Sequence, residues 1–194
     1  MEWKGKEMIF VFTGPHGAGR KTVAEMAGDT LGIKKVLSYT TRPPKKTEVD
    51  GQDYHFVSRE KFLEDQHLGK FVEVRGINGH LYGMQGADVE LMLQSAGSIY
   101  LILDRYGSDT LKKIYGDKLV RIFIYADRNH VIERLAKSGD SEEMITRYMA
   151  HYEDEMAYKP QCEYSFENID LAHTIFDLTK ALDRYLERNL LELD

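Results

Sequence analysis

Cysteine is all but missing from this 194-residue chain: Cys162 stands alone, so no internal disulfide can form and no cysteine-built zinc site is possible. A lone thiol agrees with a reducing compartment, and an inert packing role is expected for it. Long apolar runs are missing as well. None approaches the roughly 20 residues needed to cross a bilayer, and Met8–Phe12 is too short, and too soon followed by Gly14-Pro15, for the core of a signal peptide. A cytoplasmic protein is the expectation. Basic excess is lacking too: 32 acidic against 26 basic side chains leave a formal charge of −6, which excludes attraction of the whole chain to nucleic acid or to an anionic membrane. Any site for a polyanion has to be local. The seven histidines lack the spacing of metal ligands, and no internal repeat or low-complexity segment interrupts the chain. The length suits one domain carrying a smaller inserted lobe.

What is present begins with Gly14-Pro15-His16-Gly17-Ala18-Gly19-Arg20-Lys21-Thr22, set between the apolar run Met8–Phe12 and an amphipathic segment. Strand, glycine loop and helix in that order make a phosphate cradle, because glycines let backbone N–H groups turn inward and the helix adds the positive end of its dipole. The usual pattern places Lys after the last glycine and Ser or Thr next, whereas Arg20 and Lys21 hold those places here and Thr22 follows. Two readings are open. Arg20 replaces the lysine that reaches the β/γ-phosphates, or the loop carries an extra residue and Lys21-Thr22 take the two roles, which requires a distorted loop because one helical step turns a side chain by about 100°.

Beyond the loop, Val23, Ala24, Met26, Ala27 and Leu31 give one apolar face that Gly32 terminates. Val36–Lys45 is β-rich and combines hydroxyls with Arg42 and Lys45, a pattern suited to a second anion site. Asp53–Val57 alternates like a strand, Ser58 caps a short helix to Leu68, and Phe71–Val74 with His80–Tyr82 form a hairpin. Strand–helix alternation then resumes: strands over Ile99–Leu103 and Val120–Tyr125, helices over Ser108–Tyr115, Asn129–Lys137 and Glu142 to about Tyr158. Leu171, Ile175, Leu178, Leu182, Leu186 and Leu190 mark a terminal helix packed on the core, or, in a lesser reading, a coiled-coil seam.

These residues resemble the guanylate kinase family over nearly the whole chain. The resemblance rests on Ser38-x-x-x-Arg42-Pro43, Glu48-Val49-Asp50-Gly51-x-Asp53-Tyr54-His55-Phe56-Val57-Ser58, Tyr82-Gly83, and Asp104 followed by Gly107. It implies an α/β fold: a parallel sheet of the P-loop NTPase type flanked by helices, with an inserted, mainly β GMP-binding lobe and a helical lid. The expected division is a core of residues 1–35 and 96–194, a lobe of about 36–95 and a lid of about 126–155. It further implies ATP-dependent conversion of GMP to GDP with Mg²⁺ as cofactor, by a monomer or homodimer. ATP would lie on Gly14 to Thr22 and near Asn168, with Thr22 as the metal residue. The phosphate of GMP would meet Ser38, Arg42, Lys45, Tyr54 and Tyr82, and its guanine would meet Glu73 and Asp104. Arg20 or Lys21, with Arg42, Arg134 and Arg147, would carry catalysis.

The departures from the family pattern are specific. Lys45 stands where an arginine is usual, Met84 replaces a hydroxyl residue beside the guanine, Ile102 replaces the first of two aspartates, and Lys137-Ser138 replace lid arginines. Damage is concentrated on the ATP and metal side. Depressed turnover is therefore expected. The rival readings are a module that binds GMP or a phosphorylated partner without catalysis, and a kinase for another small phosphorylated substrate.

Overall fold

The computed structural model describes residues 7–186. In chain order it contains β1 (Ile9–Thr13), α1 (Arg20–Leu31), β2 (Lys34–Lys35), β3 (Tyr39–Thr40), β4 (His55–Phe56), α2 (Arg59–His67), β5 (Phe71–Ile77) and β6 (His80–Gln85). There follow α3 (Gly86–Ala96), β7 (Ile99–Ile102), α4 (Arg105–Tyr115), β8 (Leu119–Tyr125), α5 (Arg128–Lys137), α6 (Glu142–Ala150), α7 (Tyr152–Met156), β9 (Tyr164–Glu167) and α8 (Leu171–Leu186).

Five of the strands form one parallel sheet in the order β2-β7-β1-β8-β9. β1 lies at its centre and is buried on both faces, which is why Ile9-Phe10-Val11-Phe12 is continuously apolar rather than alternating. The face bearing Phe10 and Phe12 packs against Val23, Ala24 and Ala27 of α1 and Leu178, Leu182 and Leu186 of α8. The opposite face, with Ile9 and Val11, packs against Val89 and Leu93 of α3 and Leu111 of α4. The parallel sheet flanked by helices is thus as the sequence led us to expect. Four further strands, β4-β3-β6-β5, form a second sheet whose residues fall, in chain order, between β2 and β7 of the first. Gly83 on β6 is fixed there by crowding: a Cβ would stand 2.8 Å from the Phe71 ring.

Several elements differ from the sequence reading. Met26 is exposed, because the buried positions of α1 are Val23, Ala24, Ala27, Gly28 and Leu31, and Met26 falls off that stripe. α4 begins at Arg105, since Asp104 caps it by accepting from the amides of Tyr106 and Gly107. The single helix expected over 142–158 is broken at His151, whose amide donates to Tyr148 O, three residues back, while the next residue, Tyr152, is held by a 2.8 Å bond to the Ala126 carbonyl. α3 and β9 are additions. In α8 the leucine stripe is consumed by the core, so the coiled-coil reading has no surface left within the described residues. Leu190 lies outside them.

Candidate active site

The phosphate loop is built by close approach. Gly14 has φ +133°, and a Cβ there would meet the Ile124 carbonyl of β8 at 2.0 Å. Gly19 caps α1 in the left-handed region at φ +87°, where a side chain would also strike Asn168. From the far side, Asn168 Nδ2 donates to the Ala18 carbonyl at 2.9 Å, Arg134 Nη1 reaches the same oxygen at 3.4 Å, and Arg134 Nη2 donates to the Asn168 carbonyl. Arg134 and Asn168 therefore brace the loop. Among the described residues, Asn168 Oδ1 is buried without a hydrogen-bond partner.

Arg20 is the first residue of α1, and its guanidinium lies 3.5 Å from the Leu103 carbonyl, lining a cavity of about 460 Å³ together with Gly14, His16, Asp104 and Arg147. Lys21, one step round the helix, points elsewhere and pairs with Asp53 of the smaller sheet's loop. Thr22 is exposed and does not line the cavity. Of the two residues, Arg20 lines the cavity and Lys21 does not.

Across the cavity stand α6 and α7. The Tyr148 ring stacks on His16 with centroids 3.7 Å apart, and Glu155 Oε2 accepts the His16 backbone N–H at 3.1 Å. Desolvation beneath that ring, with the Arg20 charge beside it, lowers the His16 imidazole below its usual range, so it stays neutral near pH 7. Burial pushes the Glu155 carboxyl up, an effect that Arg20 opposes. Arg147 extends from α6 and pairs with Glu143 at 2.9 Å.

The second anion site gathers Arg42, Tyr54 and Tyr82. Arg42 Nε donates to the Tyr82 hydroxyl at 3.2 Å, its guanidinium lies 5.6 Å from the Tyr54 ring centroid, and Glu48 occupies its fork with two 2.9 Å contacts. A carboxylate of the chain itself thus fills the planar fork of the guanidinium. Ser38 is half-buried just before β3, and Lys45 is exposed, its backbone amide donating to Glu48.

Glu73 is half-buried on β5, against the position of Gly107, where a Cβ would stand 3.3 Å from its Oε1. Burial first, and the Asp104 charge second, push its carboxyl up to about 7. Asp104 itself is engaged by Arg75, whose Nη1 lies 2.9 Å from both carboxylate oxygens, while the Arg75 guanidinium stacks 4.1 Å above the Tyr106 ring. Met84 is fully buried against the core, and Ile102 packs into the apolar cluster around β1. Arg75, Tyr148 and Glu155 were not singled out from sequence. Arg75 lies 29 residues from its partner, and no local period marks such a pair.

A family model described as guanylate kinase matches residues 6–185. The chain belongs to the guanylate kinase family. It is 35% identical over 170 residues to a guanylate kinase of Paraburkholderia xenovorans, covering 84% of this chain and 75% of that protein. It is 32% identical over 171 residues to one from Paramagnetospirillum magneticum, covering 87% and 80%. A crystal structure of guanylate kinase from Anaplasma phagocytophilum shares the fold with a TM-score of 0.72 over 96% of this chain and 89% of that one, at 21% identity. Guanylate kinases generally use Mg²⁺ with ATP. This member offers that ion few ligands: Lys21 is salt-bridged away, Thr22 is outside the cavity and Ile102 is an apolar side chain packed, partly buried, against the core. Among the described residues no group of three or more His, Cys, Asp or Glu could hold a metal.

Proposed function

We propose that the protein transfers the γ-phosphoryl group of ATP to the phosphate of GMP, giving ADP and GDP, at a rate depressed by its altered loop. The observation that carries this reading is Arg20: it lines the cavity shared by the loop, Asp104 and Arg147, while Lys21 is turned away. The acceptor's phosphate would displace Glu48 from the fork of Arg42, with Ser38, Tyr54, Tyr82 and, more loosely, Lys45 around it. Glu73 would accept from guanine N1–H. ATP would lie along Gly14, Pro15, His16, Gly17, Ala18 and Gly19, with the unpartnered Asn168 Oδ1 available to it.

Transfer requires only that a phosphate oxygen of GMP attack the γ-phosphorus in line as the bridging bond to the β-phosphate breaks. No general base is needed, since the nucleophile is already anionic. Arg20, Arg42 and Arg147 would spread the charge on the transferring group, while Arg134 holds the loop in place. Because the residues present do not make a Mg²⁺ site, no step is assigned to the ion, which would come with the ATP phosphates. The α5–α7 segment would act as the lid over the donor. No described helix is long and apolar enough to cross a membrane, and the setting proposed with this function is the cytoplasm, as monomer or homodimer.

A coupled assay of ADP release from ATP and GMP tests the proposal. Turnover with GMP, exceeding that with AMP, CMP or UMP, is the expected result. Ile102 in place of an acid and the diversion of Lys21 favour one second reading, a GMP-binding module without catalysis. That reading takes over if GMP binds calorimetrically while turnover matches an enzyme-free control.

A further inference from the structure

The base-recognition edge of the acceptor site carries a cation for which nothing above gives a use. Arg75 projects from β5, two residues beyond Glu73, and lines the same cavity as Asp104. Its Nη1 is 2.9 Å from both oxygens of Asp104, and its plane rests on Tyr106 at 4.1 Å, so the guanidinium is held from two sides. Asp104 Oδ1 also accepts from the amides of Tyr106 at 3.0 Å and Gly107 at 2.9 Å. Three donors already crowd that oxygen, and Oδ2 is contacted only by the same Arg75 Nη1, so what Asp104 can still accept from a ligand falls to Oδ2, beside the guanidinium. Among the described residues the remaining guanidinium N–H groups of Arg75 donate to no side chain or carbonyl, and Met84, fully buried, brings no hydroxyl to this edge.

A base entering here meets a fixed donor at Arg75, and the acceptor it would have to reach is Glu73, two residues back on β5 and outside the cavity lining. Guanine presents two donors on that edge, N1–H and the 2-amino group. The second would face a guanidinium, donor against donor. A base with a carbonyl at C2 next to N1–H reverses the mismatch, and xanthine, which places negative charge on its N3–C2 side when it ionises near neutral pH, adds attraction to the cation. We propose that Arg75 is a specificity-determining residue which opens the acceptor site to 2-oxopurine nucleoside monophosphates, with xanthosine 5′-monophosphate as the representative substrate. This rests on the acceptor-site reading above and deepens it. The attacking group is unchanged: a phosphate oxygen of the monophosphate bonds to the γ-phosphorus of ATP, the bond to the β-phosphate breaks, and ADP leaves.

The test measures kcat/KM for XMP and GMP with ATP, and calorimetric Kd for both without ATP, in the native protein and in Arg75→Met. Methionine keeps an apolar stem against Tyr106 and removes the donors, and a thermal melt of the variant checks its folding. Support requires a native XMP:GMP ratio of at least one in ten that falls at least tenfold in Arg75→Met, chiefly through KM and through a gain for GMP as Asp104 is released. A building edge made for the 2-amino group would disfavour XMP by several orders of magnitude. A lower native ratio, or one that moves less in the variant, overturns the inference. If GMP alone is bound and used, only the Arg75 assignment falls. If neither nucleotide binds, the acceptor-site reading falls with it.

Discussion

Arg20 and Lys21 are adjacent and both cationic, yet they face different parts of the molecule, and the difference is a matter of helical phase. Replacement of Arg20 by alanine is expected to lower kcat by about 10²–10³, the range for loss of one preorganised charge on a transition state. Lys21→Ala, which removes only a half-exposed pair to Asp53, should change kcat by less than about tenfold. Steady-state kinetics of the two variants decide the matter, and the opposite ranking would restore the extra-residue loop. Glu73 gives a pH signature. Its carboxyl is raised from 4.5 to about 7 in the fold, so between those values the native protein binds the proton that the unfolded chain releases. Stability from this group is complete below 4.5 and declines as pH rises to about 7. Glu73→Gln should therefore raise Tm at pH 8 by about 2–4 °C for each kcal/mol recovered, and leave Tm at pH 4 unchanged. Equal shifts at both pH values would show that the carboxylate's ionisation is not the cause.

The elements that were legible in the sequence are those whose signal is local. Glycines followed by an apolar helix face specified the loop and α1, and Ser58 specified the start of α2, which it caps through Lys61 N. The leucine spacing of α8 marked its buried face as far as Leu186. α3 was hidden because it follows a hairpin without a polar break, and β9 because it is short and lies at a sheet edge. The break at His151 depends on a bond from Tyr152 to a residue 26 positions away, which no window can register. In the site, the motif residues around Arg42 and Tyr82 were readable, while the link from Arg75 to Asp104 required the fold. Gly28 shows the same limit. Helix propensity alone says that alanine there would help by about 1 kcal/mol. Yet a Cβ would meet Tyr100 at 2.4 Å, and that ring is buried edge-on against Phe12. Gly28→Ala is expected to destabilise by about 1–3 kcal/mol, the usual cost of overpacking, as measured by urea denaturation. A stabilised variant would mean that Tyr100 yields.

At the scale of the whole molecule, helix α7 closes on the glycine loop through Glu155 and α6 through Tyr148, so the proposed donor site would be covered before any nucleotide arrives. ATP lying along the loop, as proposed, would displace the Glu155 carboxylate from the His16 amide. Glu155→Gln, which removes the charge and keeps the shape, should tighten ATP binding about 2- to 10-fold, roughly the worth of one hydrogen bond. Calorimetry with ATP alone reads it, and unchanged or weaker binding would mean that Glu155 does not compete with the nucleotide. The same arrangement recurs at Arg42, where Glu48 fills the fork. Both cradles are thus occupied by tethered acids, which compete at the high effective concentration of an intramolecular group. A lone inorganic anion from the surrounding solution gains a single cradle and must evict such an acid to enter it. A nucleotide brings a base and sugar whose contacts offset that eviction. On the proposed reading of the two sites, the resident carboxylates would act as a filter against the background of small phosphates in a cell, keeping the site free for molecules large enough to reach beyond it.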